Sequence, residues 1–223
     1  MQVSILAFGC SDHANEVAVN VDIATKVLKS GLQQLIAAEP DITKYDTMVG
    51  DGDCGFCLKG GAEALLAHIA KGGLSKDAVR TVSKIAQIVE ANMDGTSGAL
   101  YAIFLNSLAS SLSIQSTSTK RQVTAETWAH ALQLALKSLG KYTPAQPGDR
   151  TLVDALHPFV QTMSETAEFS KAVVSAKIGC DQTKGMEASL GRSVYVGGDD
   201  WKKCPDPGAY GVVELLLGMR AAL

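Results

Sequence analysis

The chain has 223 residues, enough for one well-buried core, and its balance of 46% hydrophobic to 19% charged residues is that of a globular domain. A net charge of -3 gives no basic footprint for nucleic acid, and no apolar run is expected to reach the roughly 18–20 residues of a membrane span. Five cysteines are an odd number, which argues against a disulfide framework and points to the reducing cytoplasm.

In chain order, residues 1–14 read as a leader or linker remnant: Met1–Phe8 is apolar but lacks the basic leading segment of a secretion signal. A helical lobe is expected over 15–223. Its first helix runs from about Asn15 to Ala38, where Ile23, Val27, Leu28, Leu32, Leu35 and Ile36 recur at three- and four-residue spacings. Pro40 is expected to end it and to open a loop to Gly55. Further helices are expected at about 56–71; along the stripe Val79, Val82, Ile85, Ala86 and Val89, capped by Ser75; and at about 95–112. Ser113–Thr124, rich in Ser, Thr and Gln, reads as a surface loop. Another helix begins near Thr124 and carries Trp128, Leu132, Ala135 and Leu139 to a stop at Gly140, and three more fall at about 151–163, 166–178 and 208–222. No strand alternation appears, so the expected fold is all-α, with about eight amphipathic helices.

Three aspartates, Asp46, Asp51 and Asp53, fall inside Tyr45-Asp46-Thr47-Met48-Val49-Gly50-Asp51-Gly52-Asp53-Cys54-Gly55. Carboxylates so close repel one another unless a cation sits among them, and magnesium takes oxygen ligands from a few carboxylates plus phosphates. The following Cys54-Gly55-Phe56-Cys57 opens a helix whose amides would be free for phosphate oxygens. Asp and Gly are also common in turns and caps, and two of the three aspartates could be no more than that. Met93-Asp94-Gly95-Thr96-Ser97-Gly98 places amide and hydroxyl donors at a helix start, which suits a phosphate or a plain helix cap. In Gly148-Asp149-Arg150-Thr151, Asp149 is expected to cap a helix and Arg150 to steady an acidic loop. Arg192 would pair with phosphate or lie solvated, and Pro205-Asp206-Pro207-Gly208 makes a stiff corner against a base or ribose. Cys54 and Cys57 form a Cys-x-x-Cys pair, but a zinc site wants a second pair, and a thioredoxin-like site wants a βαβ context that the chain lacks.

Together these segments, with Gly191-Arg192-Ser193 and Asp206-Pro207-Gly208-Ala209, stand in the order found in the nucleotide-binding, L-type lobe of dihydroxyacetone (glycerone) kinases. The chain resembles that lobe from about residue 15 to its end, and looks most like the single-chain, ATP-using eukaryotic type. The resemblance implies an antiparallel helical barrel with the nucleotide at one end. It implies two magnesium ions on Asp46, Asp51 and Asp53, with ATP or ADP contacted by Cys54, Gly55, Phe56, Cys57, Thr96, Ser97, Leu152, Arg192, Asp206, Pro207 and Gly208. In catalysis it gives Asp46, Asp51, Asp53 and Arg192 the work of holding the transferring phosphoryl group. Asp94 and Thr143 stand where the family commonly has glycine. The resemblance further implies a partner: dihydroxyacetone, the acceptor, is held covalently through a histidine on a separate α/β lobe, and nothing in this chain resembles that lobe. Two other activities are compatible with such a lobe, namely FAD-AMP lyase (FMN cyclase) chemistry and a non-catalytic role as a nucleotide-bearing partner module.

Overall fold

Asn20 starts the first helix: its side-chain oxygen accepts from the amides of Asp22 and Ile23, both at 3.1 Å. The computed structural model describes residues 19–119, 123–195 and 199–223, so the expected leader at 1–14 and the expected helix start at Asn15 lie outside the described residues. Helix α1 spans Val21–Val49 and does not stop at Pro40, which lies inside it. The missing amide of a proline costs one ladder bond. Here the apolar stripe continues through it, because Leu35, Ala38, Ile42 and Val49 are all buried, and packing outweighs the local break. The predicted loop from Pro40 is therefore helix as far as Val49, and Asp46 stands on the last turns of α1 rather than in a loop.

The other helices are α2 (Cys54–Ala70), α3 (Ala78–Asn92), α4 (Gly95–Thr119), α5 (Ala125–Leu139), α6 (Val153–Thr166), α7 (Phe169–Gln182) and α8 (Pro207–Ala221). Two short 3-10 turns, Arg192–Tyr195 and Asp200–Lys202, interrupt the loop before α8. No strand occurs among the described residues. The cap of α3 is Asp77, which accepts from the Arg80 amide at 3.0 Å, and not Ser75, whose hydroxyl instead accepts from the Asp77 amide. The Ser/Thr-rich stretch expected as loop continues α4 to Thr119. At α5 the expected start holds: Thr124 and Thr127 form a reciprocal capping box.

Each helix packs on the next in sequence, and α8 closes on α1, so the eight form a closed ring. Contacts gather the helix starts: α2 begins where α1 finishes, Cys57 ties α2 to the residue before α4, and Gly208 at the start of α8 lies against Leu152 at the start of α6. Aromatics are only 5% of the chain, and the inward faces are mostly Ala, Leu and Val. An apolar cavity of about 320 Å³ runs between the inner faces, bordered by Leu32, Leu65, Phe104, Trp128, Leu132 and Phe159. By length and composition Gly95–Gln115 in α4 is long and apolar enough to cross a membrane, contrary to the expectation from sequence. Its Ala102, Phe104, Leu108, Ala109 and Leu112 are buried within the ring.

Candidate magnesium and nucleotide site

The three aspartates meet. The nearest carboxylate oxygens of Asp46, Asp51 and Asp53 all lie within 4.8 Å of one another. Asp46 projects from α1 and is only 8% exposed, whereas Asp51 and Asp53 stand exposed in the turn to α2. Asp46 Oδ2 accepts from the Cys54 amide at 3.0 Å and so pins the start of α2 to the end of α1. A side chain at Gly50 would collide with the Asp46 carboxylate, and Gly52 takes φ of 79°, so the turn needs both glycines. Burial raises the Asp46 pKa first, the Cys54 amide opposes that, and the charges of Asp51 and Asp53 add to the rise. Asp53 is the residue before α2 but makes no side-chain cap bond, which leaves its carboxylate facing the cluster. Three oxygen donors that repel one another, one of them buried, fit a hard divalent cation.

Contacts between elements bring the other predicted residues to the same end. The Cys57 thiol donates to the Asp94 carbonyl at 3.4 Å, which ties the first turn of α2 to the residue before α4. The Cys54 thiol is held protonated, chiefly by burial and then by the negative charges of Asp46 and Asp206, and Gly211 of α8 packs on Leu58 of α2, so α8 begins beside α2. Gly208 lies against Leu152, where an added Cβ would stand 3.3 Å from the Leu152 Cβ. Thr96 is exposed and Ser97 half-buried on the first turn of α4, and Phe56 presents an exposed ring. Arg192 opens a 3-10 turn, and its side chain lies outside the described residues.

The four helix starts differ in what they leave open. The amides expected to be free across Cys54–Cys57 are not all free: Cys54 donates to Asp46, and Cys57 donates to the Asp53 carbonyl at 2.9 Å. Gly55 and Phe56 retain open amides among the described residues, as do Thr96 and Ser97 at α4. The start of α6 is closed by its own aspartate. Asp154 accepts from the amides of Gly148 at 2.6 Å and Thr151 at 2.8 Å. Asp149 is not the cap that the sequence suggested: it accepts from the Gln146 amide and the Ser189 hydroxyl, which also hold its pKa low. The start of α8 is closed by Asp206, which accepts from the Ala209 amide at 2.8 Å. Anion-seeking donors therefore gather at α2 and α4, beside the aspartates, and α6 and α8 offer the walls Leu152 and Pro207–Gly208. Sequence reading missed the capping role of Asp154, which shows only once Gly148 and Thr151 fold back over it. It also missed the burial of Arg150, which donates to the carbonyl of Cys204 at 3.1 Å in the loop before α8.

Burial raises the Asp206 pKa to about 7, against the lowering effects of the Ala209 amide and the Arg150 charge. A carboxyl with a raised folded-state pKa holds its proton more tightly when folded, so its stabilisation is present at low pH and is lost as pH rises through that value. Asp206→Asn keeps a capping oxygen and removes the titration. Melting temperatures across pH 4 to 8 should show variant and parent closest near pH 4, with the variant increasingly the more stable up to about pH 7 and the difference level beyond it. A constant difference across that range would place the titration elsewhere.

Comparison with known proteins gives a consistent set of matches. A family profile described as the DAK2 domain matches residues 48–221. A protein named dihydroxyacetone kinase from Komagataella pastoris is 42% identical over 219 residues, covering 95% of this chain and 36% of that protein. The triokinase/FMN cyclase of Rattus norvegicus is 33% identical over 207 residues, covering 89% of this chain and 34% of that protein. The chain thus spans about a third of the length of these relatives. Its fold is similar to a crystal structure of the dihydroxyacetone kinase from C. freundii in complex with AMP-PNP and Mg2+, with a TM-score of 0.72 at 19% identity, covering 100% of this chain and 38% of that one.

Proposed function

This chain belongs to the DAK2-domain family, and from that premise we propose that residues 15–223 act as the ATP- and magnesium-binding lobe of a dihydroxyacetone kinase. The observation that carries the reading is the trio Asp46, Asp51 and Asp53, with oxygens within 4.8 Å of one another beside two helix starts whose amides are open. In this reading the three carboxylates hold two magnesium ions, which when bound neutralise phosphate charge and fix the terminal phosphoryl group for in-line transfer. The amides of Gly55 and Phe56 and the donors of Thr96 and Ser97 orient the phosphate oxygens, and Arg192 adds a cation at the tail. Leu152 and Asp206–Gly208 flank the nucleoside. The acceptor, dihydroxyacetone, sits on a separate substrate lobe, in the same longer chain or on another subunit. Four free cysteines among the described residues suit the cytoplasm as its address.

The rat relative is named a triokinase/FMN cyclase, and the second reading is accordingly FAD-AMP lyase (FMN cyclase) activity of this lobe. One assay separates the two. The chain, supplied with a dihydroxyacetone-binding lobe, is incubated with ATP, magnesium and dihydroxyacetone, and in parallel with FAD and a divalent metal. Triose phosphate in the first vessel supports the kinase, and cyclic flavin phosphate in the second supports the cyclase. A folded, assembled pair that yields neither product rejects both.

A further inference from the structure

Arg150 has the largest side chain among those fully buried, at 1% exposed. Its backbone takes φ of 60°, a left-handed conformation that costs any residue bearing a Cβ. Glycine would sit there with less strain, so the side chain contributes something that offsets it. Its Nη2 donates to the Cys204 carbonyl at 3.1 Å and the Trp201 carbonyl at 3.5 Å, and lies 3.8 Å from the Cys204 sulfur. Nε and Nη1 are buried without a partner among the described residues, a costly state for guanidinium donors. Arg150 thus reaches from the residues before α6 into the loop that leads to α8. On its own side, Leu152 follows two residues later, and on the far side Asp206, Pro207 and Gly208 follow Cys204. These are the two walls that meet where Gly208 lies against Leu152. The Arg150 charge acts on the buried Asp206 carboxyl, and the Asp154 charge acts on it too. The metal and phosphate end is tied by other contacts, Asp46 to the Cys54 amide and Cys57 to the Asp94 carbonyl.

We infer that Arg150 is a positioning residue that locks the loop before α8 to the start of α6, and so fixes the packed pair of Leu152 and Pro207–Gly208 against which the nucleoside rests. This deepens the nucleotide-lobe reading and rests on it. A guanidinium suits the task because it is charged at any working pH and spreads several donors over a rigid fork, whereas an ammonium is a single compact charge. Loss of Arg150 should weaken grip on the nucleoside far more than grip on the phosphate tail, because the aspartates and the starts of α2 and α4 stand outside the loop it locks and only Arg192 lies on it.

The test measures two probes by calorimetry on the purified 223-residue chain: Mg·ADP, and Mg·tripolyphosphate, which has the tail without the nucleoside. For Arg150→Met the expected result is a Kd for Mg·ADP raised about tenfold or more, with Mg·tripolyphosphate within about twofold of the parent. Arg150→Lys should fall between parent and Met for Mg·ADP only, and it decides the matter if the Met variant does not fold. Equal losses for both probes, or no loss for either, overturn the proposal while leaving the nucleotide reading in place. A parent chain that binds neither probe overturns that reading and the proposal with it.

Discussion

Replacing Asp51 and Asp53 together by alanine should abolish the rise in melting temperature that Mg·AMP-PNP gives the parent chain. A ligand present at about 100 times its Kd stabilises a protein by about 2.7 kcal/mol, which for a chain of this size is a shift of several degrees. That whole shift should vanish in the double variant, because a single buried carboxylate, Asp46, cannot hold a divalent ion against its own desolvation. The same substitution should leave the unliganded chain at least as stable as the parent. Both residues are exposed, and their charges push the Asp46 pKa upward, so their removal relieves repulsion in the empty cluster. Asp46→Ala should behave differently, since Asp46 holds the Cys54 amide and its loss should lower stability even without ligand. Thermal melts with and without Mg·AMP-PNP check all three expectations. Undiminished stabilisation in the double variant would remove the aspartates from the binding machinery.

The all-helical class and most helix positions were legible because the stripes that bury a helix repeat every three or four residues, and burial is what decides the outcome. The same logic explains the largest miss. Pro40 is a strong local stop signal, yet Ile42, Asp46 and Val49 keep the inward stripe running past it, and the long-range contact of α1 with α8 is invisible to a local rule. The aspartates were legible as a cluster because they stand close along the chain. Their convergence was not, since it depends on Asp46 emerging from a helix and reaching forward to the Cys54 amide. Asp154 and Asp206 show a further limit. An aspartate near a helix start is at once a candidate ligand and a candidate cap, and only the hydrogen bonds of Gly148, Thr151 and Ala209 reveal that both are caps. The site is therefore more uneven than the sequence suggests, with open donors at α2 and α4 and sealed ones at α6 and α8.

A methyl group added at Gly55 should disable the site and destabilise the chain, whereas the same methyl added five residues later on the same helix should stabilise it. At Gly55 the new Cβ would stand 2.8 Å from the Glu39 carbonyl oxygen and 2.8 Å from the Thr43 nitrogen, both backbone atoms of α1. Backbone cannot swing aside as a side chain does, so Gly55→Ala must push α2 away from α1, an overpacking cost of about 1–3 kcal/mol. That movement also carries Cys54 off Asp46 and spreads the carboxylates, so Mg·AMP-PNP stabilisation should fall sharply. Gly60 is the control: there the added Cβ meets only the Asn92 carbonyl at 3.6 Å, an ordinary contact. With no clash, Gly60→Ala should gain the helix preference of alanine over glycine, about 0.5–1 kcal/mol, and retain nucleotide stabilisation. Urea titrations of the two variants compare signs directly. Opposite signs tie the close α1–α2 approach at Gly55 to the geometry of the aspartates, and a Gly55→Ala chain that keeps full stability and binding would show that this approach is not what holds them together.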